Sequence, residues 1–273
     1  MYFITISEML GTNGEKLAKE VAKNLNYSFF GEEELLKAAE EMGIPLVARK
    51  LNEKGPAFFG SFFSQKPKIY LDQLQSVILE SAKKGNSVFF GRGSQLLLQS
   101  FDCAFHVLVT GSMGKRVQRV MEEKKVEKEV AEKMIHRSDH DKRGFSRFAF
   151  DEDWLNPQLY DLILNTDKLS IDSAGKVVVD AAKSDEIKAC GIDSVKSLGK
   201  LSLHRRIEAA FLEAGLSDHH LFFTVEDEES VRLFGVVDSA EEKERVEKIV
   251  NGIKGIKSLV NALNVIKPSM GGV

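Results

Sequence analysis

Residues 3–25 begin Phe3-Ile4-Thr5-Ile6-Ser7-Glu8-Met9-Leu10-Gly11-Thr12-Asn13-Gly14, and Leu17, Ala18, Val21, Ala22 and Leu25 follow at helical spacing. An apolar strand over Phe3–Ile6, a loop over Ser7–Gly14 and a helix beyond it form the layout of a phosphate-binding loop. The start of a helix carries unpaired N–H groups and a partial positive charge, and glycines just ahead of it let a phosphate approach those donors. Gly11 and Gly14 stand in the right place for this.

The chain has 273 residues, 43% apolar and 29% charged, which is enough for one sizeable domain and a smaller one. A net charge of −3 supplies no global pull towards nucleic acid or anionic membrane, so nucleic acid is not an expected partner and any anion site must be local. Cys103 and Cys190 lie far apart, match no metal spacing and read as reduced thiols. The first residues run directly into a strand without a leader pattern, and no apolar run approaches the ~20 residues of a bilayer span. A cytoplasmic protein is expected.

Outward from the loop, Tyr27–Phe30 reads as a short buried strand and Glu32–Met42 as a helix closed by Gly43. Periodicity is lost from Arg49 to Lys68, where Phe58, Phe59, Phe62 and Phe63 favour core packing over stacking on a ligand base. Tyr70–Lys84 is helical, and Ser87–Phe90 is a strand running into Gly91-Arg92-Gly93. Ala104–Thr110 is a further strand, and Ser112 opens the next helix. Alternation of strand and helix implies crossovers and a parallel sheet with ligands at the carboxyl ends of its strands, where Gly11, Gly14 and Arg92 fall.

Lys115–Arg147 holds eleven Lys or Arg against seven Asp or Glu, a local excess of +4. A solvated helical face explains such a run. Equally, Arg116 with Arg119, and Arg143 with Arg147, share faces and could fork onto a polyphosphate. A last strand over Asp161–Thr166 and a helix over Ser170–Lys183 close the first unit. His106 reads as a satisfied core histidine, His136 and His140 as a coincidental i, i+4 pair, and His219-His220 as a solvated turn.

The expected organisation is a domain over 1–184, a linker over 185–199 that contains Gly191 and Gly199, and a compact α+β unit (α-β-β-α-β) over 200–267. Residues 268–273 are expected to be a disordered tail.

Residues 3–183 resemble the cytidylate kinase-like family, a branch of the nucleoside monophosphate kinases. The resemblance rests on Ile4–Ser7 with Gly11–Gly14, Tyr27–Phe30, Gly91-Arg92-Gly93, Arg116–Val120 and Tyr160–Thr166 in order. It implies an α/β fold with a P-loop kinase-like parallel sheet flanked by helices, an acceptor region over roughly Gly31–Lys84 and a mobile lid near Met121–Phe150. It also implies ATP and Mg²⁺ as cofactors, with transfer of the γ-phosphoryl to CMP or dCMP. Carried over, Gly11, Thr12, Asn13, Gly14 and Arg119 would hold the donor, and Gly91, Arg92 and Gly93 the acceptor phosphate. Lys16, Arg116 and Arg143 would supply catalytic charge; no metal ligand is assigned. Where a standard loop has Gly-Lys-Ser/Thr, this chain has Asn13, Gly14 and Glu15, with Lys16 two positions beyond the expected lysine, about 200° round the helix. The loop's hydroxyls are Ser7 and Thr12.

Residues about 200–267 resemble a BON domain through Val231–Ser239 and Gly255–Asn261. That resemblance implies a protein partner or a phospholipid surface. Residues 198–273 carry ten basic and twelve acidic residues, a balance of −2, which favours a protein-partner or intramolecular role. Against a working kinase stand two alternatives: a catalytically degenerate nucleotide sensor, and a scaffold acting through the BON-like unit.

Overall fold

The computed structural model describes residues 3–46, 66–187, 191–216 and 220–266. The aromatic cluster Phe58, Phe59, Phe62 and Phe63, together with Cys190, His219 and the tail from Lys267, lies outside them.

The first unit is a five-stranded parallel sheet in the order β2-β3-β1-β4-β5. Its strands are β1 (Phe3–Glu8), β2 (Ser28–Phe30), β3 (Ser87–Phe90), β4 (Ala104–Thr110) and β5 (Leu162–Asn165). Successive side chains of a strand point to opposite faces, and β1 shows the result. Phe3 joins a core with Leu35, Leu74, Ile78 and Phe89, under α2 (Glu32–Met42) and α3 (Lys66–Lys83). Ile4 and Ile6 join Leu17, Val21, Val107 and Val178 on the other face, under α1 (Gly14–Leu25) and α7 (Ile171–Ala182). Both faces are therefore covered, as the near-continuous apolar strands require.

Short helix α4 (Ser94–Leu97) follows β3; α5 (Met113–Lys124) and α6 (Lys128–Phe150) lie between β4 and β5. α5 and α6 pack through Val117, Val120, Ala131 and Ile135. His106 is a satisfied core group: its Nδ1 lies 2.7 Å from Thr5 Oγ1, and burial holds its pKa below the ordinary value against the pull of Asp161.

The second unit comprises α8 (Ile192–Glu213), β6 (Leu221–Val225), β7 (Ser230–Val237), α9 (Ala240–Asn251) and β8 (Ser258–Val265). β7 pairs antiparallel with β6 and parallel with β8. One face of this sheet buries Val231, Leu233 and Leu263 against Ile207 and Phe211 of α8 and Val246 and Val250 of α9. The opposite face leaves Phe222, Phe234, Val236 and Val260 exposed.

Residues 192–199, expected within a linker, are the first turns of α8. They are helical because the helix has a surface to lie on. Leu198 is fully buried in the core of the first unit, and Ser202 Oγ donates to Ser76 O of α3 at 3.1 Å. Arg205 meets Asp72 of α3, and Gln73 Nε2 donates to Glu213 Oε1 at 2.8 Å. Cys103 is buried and disulfide-bonded, which corrects the expectation of a reduced thiol there. Among the described residues no helix is long and apolar enough to cross a membrane.

Candidate active site

The loop between β1 and α1 sits at the centre of the carboxyl edge of the sheet, where β1 is flanked by β3 and β4. Two residues in left-handed backbone make its curl, Gly11 at φ 88° and Asn13 at φ 62°. A Cβ on Gly11 would fall 2.6 Å from the carbonyl oxygen of Arg116, so glycine is required there by both conformation and space. Thr12 is fully buried, with its N–H and its hydroxyl both donating to Met9 O.

The carbonyl groups of this loop are held from behind by side chains. Lys142 Nζ donates to Glu8 O at 2.6 Å, and Arg116 Nε to Leu10 O at 2.8 Å. Arg119 Nη1 lies 3.4 Å from Gly11 O and 3.0 Å from Thr166 Oγ1, which itself donates to Thr12 O at 3.2 Å. Arg116 also binds Asp139 at 2.7 and 2.9 Å, and its side chain is 4% exposed. The two α5 arginines expected to face a polyphosphate thus brace the loop that would bind one. A guanidinium can donate to a carbonyl oxygen as well as to a phosphate oxygen, and arginine spacing alone does not tell which acceptor it meets.

At the front of the loop, Gly14 begins α1 and donates its N–H to Glu8 Oε2 at 2.7 Å. Asn13, the cap residue, makes no side-chain capping bond. A carboxylate at a helix start is favoured by the unpaired N–H groups and the helix dipole.

On the other side of β1, Gly91, Arg92 and Gly93 form a turn in which all three residues have positive φ, at 68°, 60° and 71°. A Cβ on Gly93 would lie 2.7 Å from the ring of Phe150, so α6 packs directly on this turn. Arg92 pairs with Glu32 of α2 at 2.5 Å. It lines a cavity of about 920 Å³ together with Gly91, Lys19, Glu33, Arg137 and Asp141. Asp141 is 4% exposed, and its Oδ1 has no hydrogen-bond partner among the described residues. Its Oδ2 lies 3.7 Å from Arg137 Nε.

Arg92 and Gly91 therefore line the cavity, while Gly93 supports it under Phe150. Gly11, Thr12, Asn13 and Gly14 form the adjoining loop, with Arg116 and Arg119 behind it. Lys16 is exposed on α1 and does not line the cavity; Lys19, one turn further on, does. Arg143 lies 4.0 Å from Asp153, and its side chain is 43% exposed. Sequence reading singled out neither Lys19 nor Asp141. Lys19 could have been found from the helical period, since Glu15 and Lys19 share one face of α1 and pair at 2.8 Å. Nothing in the pattern of α6 marks Asp141.

The Thr12 hydroxyl is turned inward to Met9 O, so it does not fit the role of a resident magnesium ligand. Among the described residues no group of three His, Cys, Asp or Glu side chains is placed to hold a metal ion.

Comparison with known proteins bears on this site. The sequence profile of the cytidylate kinase-like family matches residues 3–168, and that of the BON domain matches residues 202–267. No curated protein matches the chain. A crystal structure of an uncharacterized protein from Eubacterium ventriosum is similar at 21% identity and TM-score 0.54, covering 66% of this chain and 97% of that one. Shikimate kinase from Bacteroides thetaiotaomicron is similar at 15% identity and TM-score 0.42, covering 67% and 99%. Deoxyadenosine kinase from M. mycoides, solved with dATP, is similar at 13% identity and TM-score 0.41, covering 67% and 100%. The likeness to the Eubacterium ventriosum protein describes the fold and not the substrate.

Proposed function

The chain belongs to the cytidylate kinase-like family, and we propose that its first unit binds ATP at the β1–α1 loop and passes the γ-phosphoryl to CMP or dCMP held at Arg92. The observation that carries this reading is the pairing of a braced glycine loop with an open, Arg92-lined cavity on the same sheet edge. Phosphoryl transfer needs positioning and positive charge more than covalent help from the protein. Gly11, Thr12, Asn13 and Gly14 would present the donor phosphates to the start of α1, with Arg119 fixing the loop. An oxygen of the acceptor phosphate, placed by Arg92 and the Gly91 and Gly93 backbone, would take the γ-phosphoryl as ADP leaves. Lys16 and Arg143 are proposed to add charge from the rim on ligand binding, and Arg116 to act as a positioning residue. Mg²⁺ is proposed to arrive with ATP as part of the substrate.

ADP release from ATP, followed with each nucleoside monophosphate in turn, tests the reading. Turnover that depends on CMP or dCMP supports it, and no turnover with any acceptor at high protein concentration overturns it. In that case nucleotide binding without turnover would establish the sensor reading, which the exposed Lys16 and the inward Thr12 hydroxyl favour.

For the second unit we propose a protein partner, supported by the exposed Phe222, Phe234, Val236 and Val260 and by the acidic balance of the segment. Co-sedimentation of the full chain with anionic vesicles would count against it.

A further inference from the structure

The Glu8 carboxylate takes the first N–H of α1, and a helix start offers such donors to phosphate. Glu8 closes β1, its carbonyl is pinned by Lys142 at 2.6 Å, and its side chain turns back to take the Gly14 N–H at 2.7 Å. The Thr12 hydroxyl lies 3.4 Å from the same oxygen. Loop and carboxylate are built around each other: a Cβ on Gly14 would sit 2.5 Å from Glu8 Cβ and 2.8 Å from Glu8 Oε2. Asn13 makes no side-chain cap bond, so Glu8 takes over the capping of α1 from six residues upstream. The side chain is half-buried, which leaves it a path outward while its backbone stays fixed.

We propose that Glu8 is the residue that sets the loop's affinity and selectivity for polyphosphate, acting as a resident anion that the ligand must displace. The inference rests on the reading that this loop seats nucleotide phosphate. An anion already bonded to the helix N–H occupies a donor and cancels part of the positive field that attracts phosphate. An incoming phosphate has to break that charge-assisted bond and then lie beside the expelled carboxylate. Inorganic phosphate and nucleoside monophosphates, which offer few compensating contacts, are rejected at the loop. A nucleoside triphosphate that brings Mg²⁺ carries its own neutralising charge and is admitted. Selectivity at the donor loop thus comes from a repulsive group, as is common where one ligand must be told from a near relative.

Full-length wild type, Glu8→Gln and Glu8→Ala are titrated calorimetrically with ATP·Mg²⁺ and with inorganic pyrophosphate. The Gly14 amide resonance is followed with pH in the ligand-free proteins. The expected order of affinity is wild type, then Glu8→Gln, then Glu8→Ala, from weakest to tightest, with about tenfold or more between the ends and a larger gain for metal-free pyrophosphate than for ATP·Mg²⁺. The Gly14 amide should titrate with a carboxylate in wild type and not in Glu8→Gln. Equal affinities across the three proteins overturn the inference and leave nucleotide binding standing. Absence of binding in all three overturns both. A Gly14 amide that does not titrate in wild type shows that the carboxylate does not occupy the loop, and overturns the inference independently of any ligand.

Discussion

The loop after β1 and the turn after β3 lie side by side on one sheet edge, both use positive φ, and both are approached by α6. They differ in what their polar groups meet. In the loop, four carbonyls accept bonds from Lys142, Arg116, Arg119 and Thr166, and the first N–H of α1 goes to Glu8. The turn's Arg92 has a carboxylate partner but opens onto a cavity of about 920 Å³. The loop is therefore a structural joint as well as a candidate binding element, whereas the turn presents its arginine to the cavity. Substitutions of the same type should act mainly on stability in the first place and mainly on ligand use in the second.

The largest contrast is expected between the two arginines. Arg116→Ala removes a buried guanidinium from the Asp139 carboxylate and the Leu10 carbonyl, and denaturant unfolding should show a loss of about 3–5 kcal/mol. Arg92→Ala breaks a pair whose Glu32 side chain is 56% exposed, and the same measurement should show about 1 kcal/mol or less. Similar losses at both would break the comparison.

The glycines should follow in size. Gly11→Ala places a Cβ 2.6 Å from a backbone oxygen at φ 88°, for an expected cost of about 2–4 kcal/mol. Gly91→Ala has φ 68° but open space at the Cβ, so only the backbone term remains, about 1 kcal/mol. Thermal melts of the two variants measure the part due to crowding alone.

A pH-dependent control separates both elements from the seam behind them. Burial and the neighbouring Glu208 charge push the Asp72 carboxyl up to about 6, against the opposing pull of Arg205. Between its ordinary value of 3.8 and about 6 the folded chain holds a proton that the unfolded chain has released, so stability falls as pH rises through that window. Burial also works against the Glu208 charge, but His204 and Arg205 outweigh it and hold that carboxyl at about 2, so its contribution is lost only towards acid. Relative to Asp72→Asn, wild type should lose up to about 2–3 kcal/mol between pH 4 and 7. A parallel pH dependence in the two proteins would remove Asp72 from the account.

The smallest stability effect should accompany the clearest functional one. Arg92→Ala is expected to raise the KM for the acceptor at least tenfold while leaving ATP affinity within about twofold. Equal loss of both would place Arg92 on the donor side.

Much of this arrangement was legible in the sequence. Apolar runs marked every strand of the parallel sheet, and strand order alone set Gly11 and Arg92 at its carboxyl edge. The α5 arginines were legible as a pair but not in their targets, because a donor's spacing does not reveal which acceptor it meets. Glu8 was not legible at all. Its bond to Gly14 exists only once Gly11 and Asn13 have curled the loop, and a carboxylate six residues before a helix start fits no local rule. The start of α8 was hidden for a related reason. Leu198 and Ser202 face α3, and a contact made by one large and one small residue leaves no long apolar stripe to read.

α8 has a consequence for how the chain can be divided. Its 22 residues span roughly 33 Å as one rod, with Leu198 in the first core and Leu203, Ile207 and Phe211 in the second. A cut before Leu198 takes that side chain from the first unit and leaves an apolar stub on the second, and a cut after Leu203 opens the second core. The two units share a beam, and the short stretch between Leu198 and Leu203 where a cut spares both cores lies inside that helix.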